Sequence, residues 1–132
     1  MAYEFNRNQQ DLNYTSTVAI AQAGAETASF DLEQVVGGDI EEVVFELAAP
    51  TAAGITSGKV VTYALQDSAD GSSWAAVDPG ISTTQTADGS GIAAKTVRFR
   101  LPANTRRYVR IAQTMTASAG TVTGNMVAKL LF

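Results

Sequence analysis

Asp67, Asp70 and Asp78 surround a glycine-bearing turn in the run QDSADGSSWAAVD at residues 66–78. Carboxylates grouped in this way are the oxygen ligands that calcium takes. The spacing departs from an EF-hand loop, which places acids or amides at positions 1, 3 and 5 and Glu at 12. An Asp-Gly hairpin followed by a packing Trp74 accounts for the same letters. The three aspartates are therefore weak metal candidates, and no cofactor is expected. A second stretch, GSGIAAKT at residues 89–96, ends in Lys and Thr as a phosphate-binding loop does. It lacks the G-x-x-x-x-G-K-[ST] spacing, and a strand rather than a helix is expected after it. The third candidate is KTVRFRLPANTRRYVRIAQT at residues 95–114, which holds six of the nine bases and no acid in a chain of net charge −4.

A basic ribbon with an interleaved Tyr108 suits single-stranded nucleic acid, whose bases stack on aromatic rings. The isoelectric point near 4.6 argues against that partner, because a phosphate-tracking domain is strongly basic. Residues 1–94 carry all thirteen acids against Arg7 and Lys59, whereas residues 95–132 carry seven bases and no acid. Such asymmetry marks either an interaction surface or strands that pair within one sheet. The ribbon is thus expected to face Glu42 and Glu46, or an acidic protein partner. Catalysis is constrained more sharply. With no His and no Cys, the chain has no imidazole base, no thiolate and no Ser-His or Cys-His pair. A two-carboxylate mechanism would remain, but the acids fall on outward strand positions or in turns. The chain is expected not to be an enzyme.

These residues sit in a chain of 132, the length of one domain, with 45% apolar residues and no disulfide framework. No run approaches the ~20 apolar residues that span a bilayer, and the polar start lacks the apolar core of a signal peptide. A soluble protein made in a cytoplasm, without a membrane partner, is the expectation. Residues 1–16 mix Asn and Gln with Tyr3, Phe5 and Tyr14, without a regular period, and read as an extended N-terminal arm.

From residue 17 the period is two. Val61, Tyr63 and Leu65 alternate with Thr62 and Gln66; Val97, Phe99 and Leu101 with Thr96, Arg98 and Arg100; Met126, Ala128 and Leu130 with Val127, Lys129 and Leu131. Alternation of this kind indicates half-buried strands. Asp-Gly and Pro clusters separate the runs. DIEEVVFELAAP reads as a strand, with Val43, Phe45 and Leu47 on one face. The fold class expected is all-β: an antiparallel β-sandwich or jelly roll over residues 17–132, with long loops at 48–58 and 78–93.

YALQDSADGSSWAAV, then VRFRLPANTRRYVRI, then the closing GNMVAKLLF resemble the cement or decoration proteins of tailed-bacteriophage capsids, most closely the Bbp16-like family. The resemblance covers residues 60–132. It implies a jelly roll that forms homo-oligomers, dimers or trimers, on the outer capsid surface of a virion. There it would bind the major capsid protein and bridge neighbouring capsomeres without catalysing a reaction. Contact residues expected on this basis are Tyr3, Phe5 and Tyr14 in the arm and Arg98, Arg100, Arg106, Arg107 and Arg110 in the ribbon. Arg106 and Arg107, beside the PAN turn, are expected to reach outward. Two other readings stay open: a carbohydrate-binding sandwich using Trp74 and Tyr108, and another head or tail structural protein of a phage.

Overall fold

The computed structural model describes residues 10–32, 44–77, 80–102, 104–116, 120 and 122–131, with the backbone alone for residues 10–14. The chain forms strands β1 (Gln10–Ala19), β2 (Ala25–Glu26), β3 (Phe30–Asp31), β4 (Val44–Ala49), β5 (Val60–Ser68), β6 (Ala75–Ala76), β7 (Ser82–Thr86), β8 (Lys95–Arg100), β9 (Tyr108–Met115) and β10 (Asn125–Leu131). One sheet has the order β1-β10-β4-β8. The other has the order β2-β9-β5-β6, with β3 also on β9 and β7 also on β5. All the pairings are antiparallel. The protein is an antiparallel β-sandwich.

The pairing is nested. β5 pairs with β6 and β7, β4 with β8, β2 and β3 with β9, and β1 with β10. The first half of the chain therefore lies against the second half, strand by strand. This places the acid-rich residues before 94 beside the basic residues after it.

Period-two alternation is what allows each strand to bury one face. β4 and β5 alternate strictly between half-buried and buried positions along most of their length. The inward set, Phe45, Leu47, Val61, Tyr63, Leu65, Val109, Ile111, Met126, Ala128 and Leu130, forms the core between the sheets. Each fully buried large apolar side chain contributes roughly 1.5–3 kcal/mol relative to exposure. Phe45 anchors an aromatic run: its ring meets Phe30 edge-on at 5.6 Å and stacks on Phe99 at 5.5 Å. Such pairs add to the area term.

Polar side chains inside the sandwich have partners. The Tyr63 hydroxyl donates to Gln85 Oε1 at 2.7 Å, and Gln85 Nε2 donates to the carbonyls of Pro50 and Ala93 at 2.9 Å each. Burial pushes the Tyr63 phenol up to about 12 from an ordinary 10.0. Gln113 accepts from the Ala21 amide and donates to the Ala21 carbonyl. Among the described residues no buried side-chain nitrogen or oxygen lacks a partner.

Three expected boundaries change. Of the arm read over residues 1–16, residues 10–16 belong to β1, where Gln10 pairs with Leu131 and Thr15 with Lys129 across a register shift. Tyr14 is a strand residue, and Tyr3 and Phe5 lie outside the described residues. The expected loop at 78–93 contains β7, whose Gln85 is buried and bonded to Tyr63. Its Thr-rich sequence hides the alternation, since the inward positions of STTQT are not apolar. The expected loop at 48–58 begins inside β4 and is tied to the other by a bridge between Ala52 and Ile92. Gly91 permits that approach: at φ 101°, a Cβ there would run into the Ala52 carbonyl oxygen.

Candidate functional site

The basic ribbon follows the path of β8, the 101–107 connection and β9. Alternation puts Arg98 and Arg100 on the outer face of β8, opposite Glu46 and Val44 of β4. Arg98 Nε donates to Glu46 Oε2 at 2.6 Å. Glu46 is also in register with Lys129 of β10, so the row across the sheet reads Lys129, Glu46, Arg98. Of the two acids expected to meet the ribbon, Glu46 does so, and Glu42 lies outside the described residues. The Arg98 side chain stays 59% exposed. Arg100 is exposed and forms no ion pair with any described residue.

Arg106 and Arg107, expected to reach outward, stay 42% and 40% exposed at the side chain, and each also grips an acid of its own chain. The Arg106 backbone amide donates to Asp67 Oδ2, its Nε to Asp67 Oδ1 at 3.0 Å, and its Nη2 to the same Oδ1 at 2.6 Å. This raises the Arg106 pKa above its ordinary value, first through the hydrogen bonds to Asp67. Arg107 forks onto Asp31, Nε to Oδ1 at 3.0 Å and Nη2 to Oδ2 at 2.9 Å. The reason is spatial: Asp67 is the next-to-last residue of β5 and Asp31 ends β3, and both strands flank the start of β9.

Arg110 is held by neighbours rather than by acid. Its Nε donates to Gln66 Oε1 at 2.9 Å, and its guanidinium carbon lies 4.3 Å from the centre of the Trp74 ring. The Arg107 guanidinium sits 5.0 Å from the Tyr108 ring centre, and Gly71 packs against the same ring. The two aromatics considered for glycan stacking are thus half-buried and each faces an arginine. A desolvated cation over an aromatic face is attracted to it by about 0.5–2 kcal/mol.

The aspartates considered for calcium have other tasks. Asp67 is 5% exposed and its carboxylate is taken up by Arg106. Asp70 folds the DGSS turn: its Oδ1 accepts from the amides of Ser72 at 2.8 Å and Ser73 at 3.0 Å, and from the Ser68 hydroxyl. The backbone bond from Ser73, then that from Ser72, then the Ser68 hydroxyl pull its carboxyl down to about 2. Asp78 lies outside the described residues. No group of three or more His, Cys, Asp or Glu is brought together among the described residues.

One feature was not legible beforehand. Between the sheets, along the side where β7 and β8 form the edges, a cleft of about 210 Å³ opens among Leu47, Tyr63, Ile81, Val97, Phe99 and Ile111. The alternation that buries Val97 and Phe99 says nothing of whether another strand covers β8 beyond them. Only their half-burial in the assembled sandwich reveals the opening.

Compared with known proteins, the chain matches no family model, and no curated protein matches it.

Proposed function

We propose that this chain is a non-enzymatic structural protein that binds the outer surface of a tailed-phage capsid and cements neighbouring capsomeres. The observation that carries the reading is where its resembling segments fall in the fold. DGSSW and RRYVRI form one corner, joined by the Asp67–Arg106, Gln66–Arg110 and Arg110–Trp74 contacts. Two of the stretches that carry the resemblance thus pack together, while VRFR in β8 and the closing GNMVAKLLF in β10 are neighbours of β4 in the other sheet. The nested order, with β1, β10, β4 and β8 in one sheet and β2/β3, β9, β5 and β6/β7 in the other, is also the order we assign to a jelly roll.

The surface chemistry agrees with this reading. Arg98 and Arg100 project from an exposed edge, where charge supplies orientation and specificity toward an acidic partner. Repetition over a lattice turns such modest contacts into avidity. The glycan reading is weaker, because Arg110 occupies a face of Trp74 that a sugar would need.

The test is co-sedimentation with undecorated tailed-phage capsids. Saturation at a fixed copy number per shell supports the proposal, together with loss of binding in Arg98→Glu/Arg100→Glu and in high salt. No sedimentation with any such shell overturns it.

A further inference from the structure

β8 ends its sheet, and among the described residues its far side has no strand partner. Such an edge presents unpaired backbone N–H and C=O groups, a template for one more strand. The two faces of β8 then say which side chains that strand must carry. On the inner face, Val97 and Phe99 are half-buried beside the cleft of about 210 Å³, which Leu47, Tyr63 and Ile111 line from within. Lys95 shares this face and donates from Nζ to the Thr84 carbonyl of β7 at 3.3 Å. The edges of the two sheets are thus tied at Lys95, and the cleft opens beyond it. A cavity of ~150 Å³ takes a benzene ring, so the open stretch accommodates a large apolar side chain.

The outer face asks for acid. Arg98 and Arg100 are exposed there. Glu46 holds one side of Arg98, and the row Lys129, Glu46, Arg98 alternates in sign up to the edge. The next position outward therefore calls for a carboxylate. Arg100 stands opposite the apolar Val44 and forms no ion pair with any described residue, which calls for a second acid two positions along. The same charges select against a second copy. β8 laid beside β8 would set arginine against arginine, and no described strand of this chain carries two acids.

We propose that β8 receives an extended acidic segment of a different protein as a fifth strand of its sheet, with two acids facing Arg98 and Arg100 and the large apolar residue between them seated in the cleft beside Phe99. In strand addition of this kind, backbone bonds give affinity and alternate side-chain positions give specificity. This rests on the acidic partner of the capsid reading and gives that contact its form, an acid-apolar-acid strand of the shell protein.

The probe is a fluorescein-labelled peptide, Ser-Val-Glu-Phe-Glu-Val-Ser, whose polarity alternates as the edge requires. Fluorescence anisotropy follows its binding to the full chain, and amide hydrogen exchange reads β8. Saturable binding is expected, with slowed exchange at alternate amides of β8, because every second backbone group points away from β4. Replacing both Glu of the peptide by Lys, or its Phe by Ser, should weaken binding at least about tenfold, and so should Arg98→Glu/Arg100→Glu in the protein. The peptide changes leave the protein untouched, so a folding defect cannot mimic them. Three results each overturn the proposal. These are no binding at millimolar peptide, equal binding of the Lys peptide, and binding that leaves β8 exchange unchanged. Because no shell is present, peptide binding without sedimentation of shells ends the capsid reading alone. Saturable shells without peptide binding end the strand-addition proposal alone.

Discussion

Asp67 and Arg106 stand 39 residues apart in the chain, yet four hydrogen bonds run from Arg106 to Asp67. Three reach the carboxylate, and the fourth runs from Nη2 to the Asp67 carbonyl at 3.0 Å. The pair fastens the connection after β8 to the end of β5, so the basic ribbon changes sheet at a fixed point. Asp67 is buried with a side-chain exposure of 7%, whereas that of Arg106 is 42% exposed. The two ends of the pair therefore fail differently.

Removing the arginine leaves a buried carboxylate with one backbone amide. Removing the acid leaves an arginine that water can reach. Asp67→Asn, which keeps the volume and an acceptor, should lower unfolding stability by about 1 kcal/mol, and Arg106→Ala by more. Urea unfolding of the two variants measures the asymmetry; equal losses would refute it.

The buried phenol gives an alkaline signature. Burial holds the Tyr63 pKa at about 12 against 10.0 when unfolded. Because the folded value is raised, its contribution is fully present below pH 10 and is lost as the pH climbs through about 12. Tyrosinate absorbance should show a late step near pH 12, and Tyr63→Phe should abolish it.

At the acid end the sign reverses. Asp70 is depressed to about 2 by the Ser73 and Ser72 amides and the Ser68 hydroxyl. Its contribution is present above the ordinary carboxylate value near 4 and is lost as the pH falls through about 2. The urea midpoint should drop over that window, and Asp70→Asn, whose carbonyl still caps the turn, should show less of the drop.

Gly91 and Gly58 separate two costs of a side chain. Both have positive φ, 101° and 84°, but a Cβ at Gly58 meets nothing within 4 Å. Gly58→Ala should cost only the backbone term, about 1–2 kcal/mol. Gly91→Ala adds the collision with the Ala52 carbonyl and should cost measurably more, which thermal unfolding of the two variants compares.

Much of the sandwich was legible in the sequence, because burying one face of a strand imposes alternation. Val61, Tyr63 and Leu65 face inward, and Thr62 and Gln66 do not, as their spacing predicts. β7 escaped notice because its buried residue is Gln85, whose amide is satisfied by Tyr63, Pro50 and Ala93 rather than by apolar packing. Glu46 was expected opposite the ribbon, but the partners of Arg106 and Arg107 escaped for another reason. They lie 39 and 76 residues away, and only the strand order brings Asp67 and Asp31 to them. Charge counts alone cannot separate a ribbon aimed at a partner from one matched within its own sheets.

The nested pairing also imposes an order of events as the chain folds. β5 and β6 are joined by residues 69–74 and can meet early, as a hairpin that β7 then extends. β4 can then meet β8, and β2 and β3 can meet β9, each closure being shorter once the pair inside it has formed. The β1–β10 ladder joins Thr15 to Lys129, more than a hundred residues away, and comes last. Dominance of such distant pairings slows all-β domains to the millisecond-to-second range. Until β10 docks on it, β4 remains an unprotected edge, and until β1 closes on β10 that strand is one in turn, so the terminal strands act as the latch of the fold.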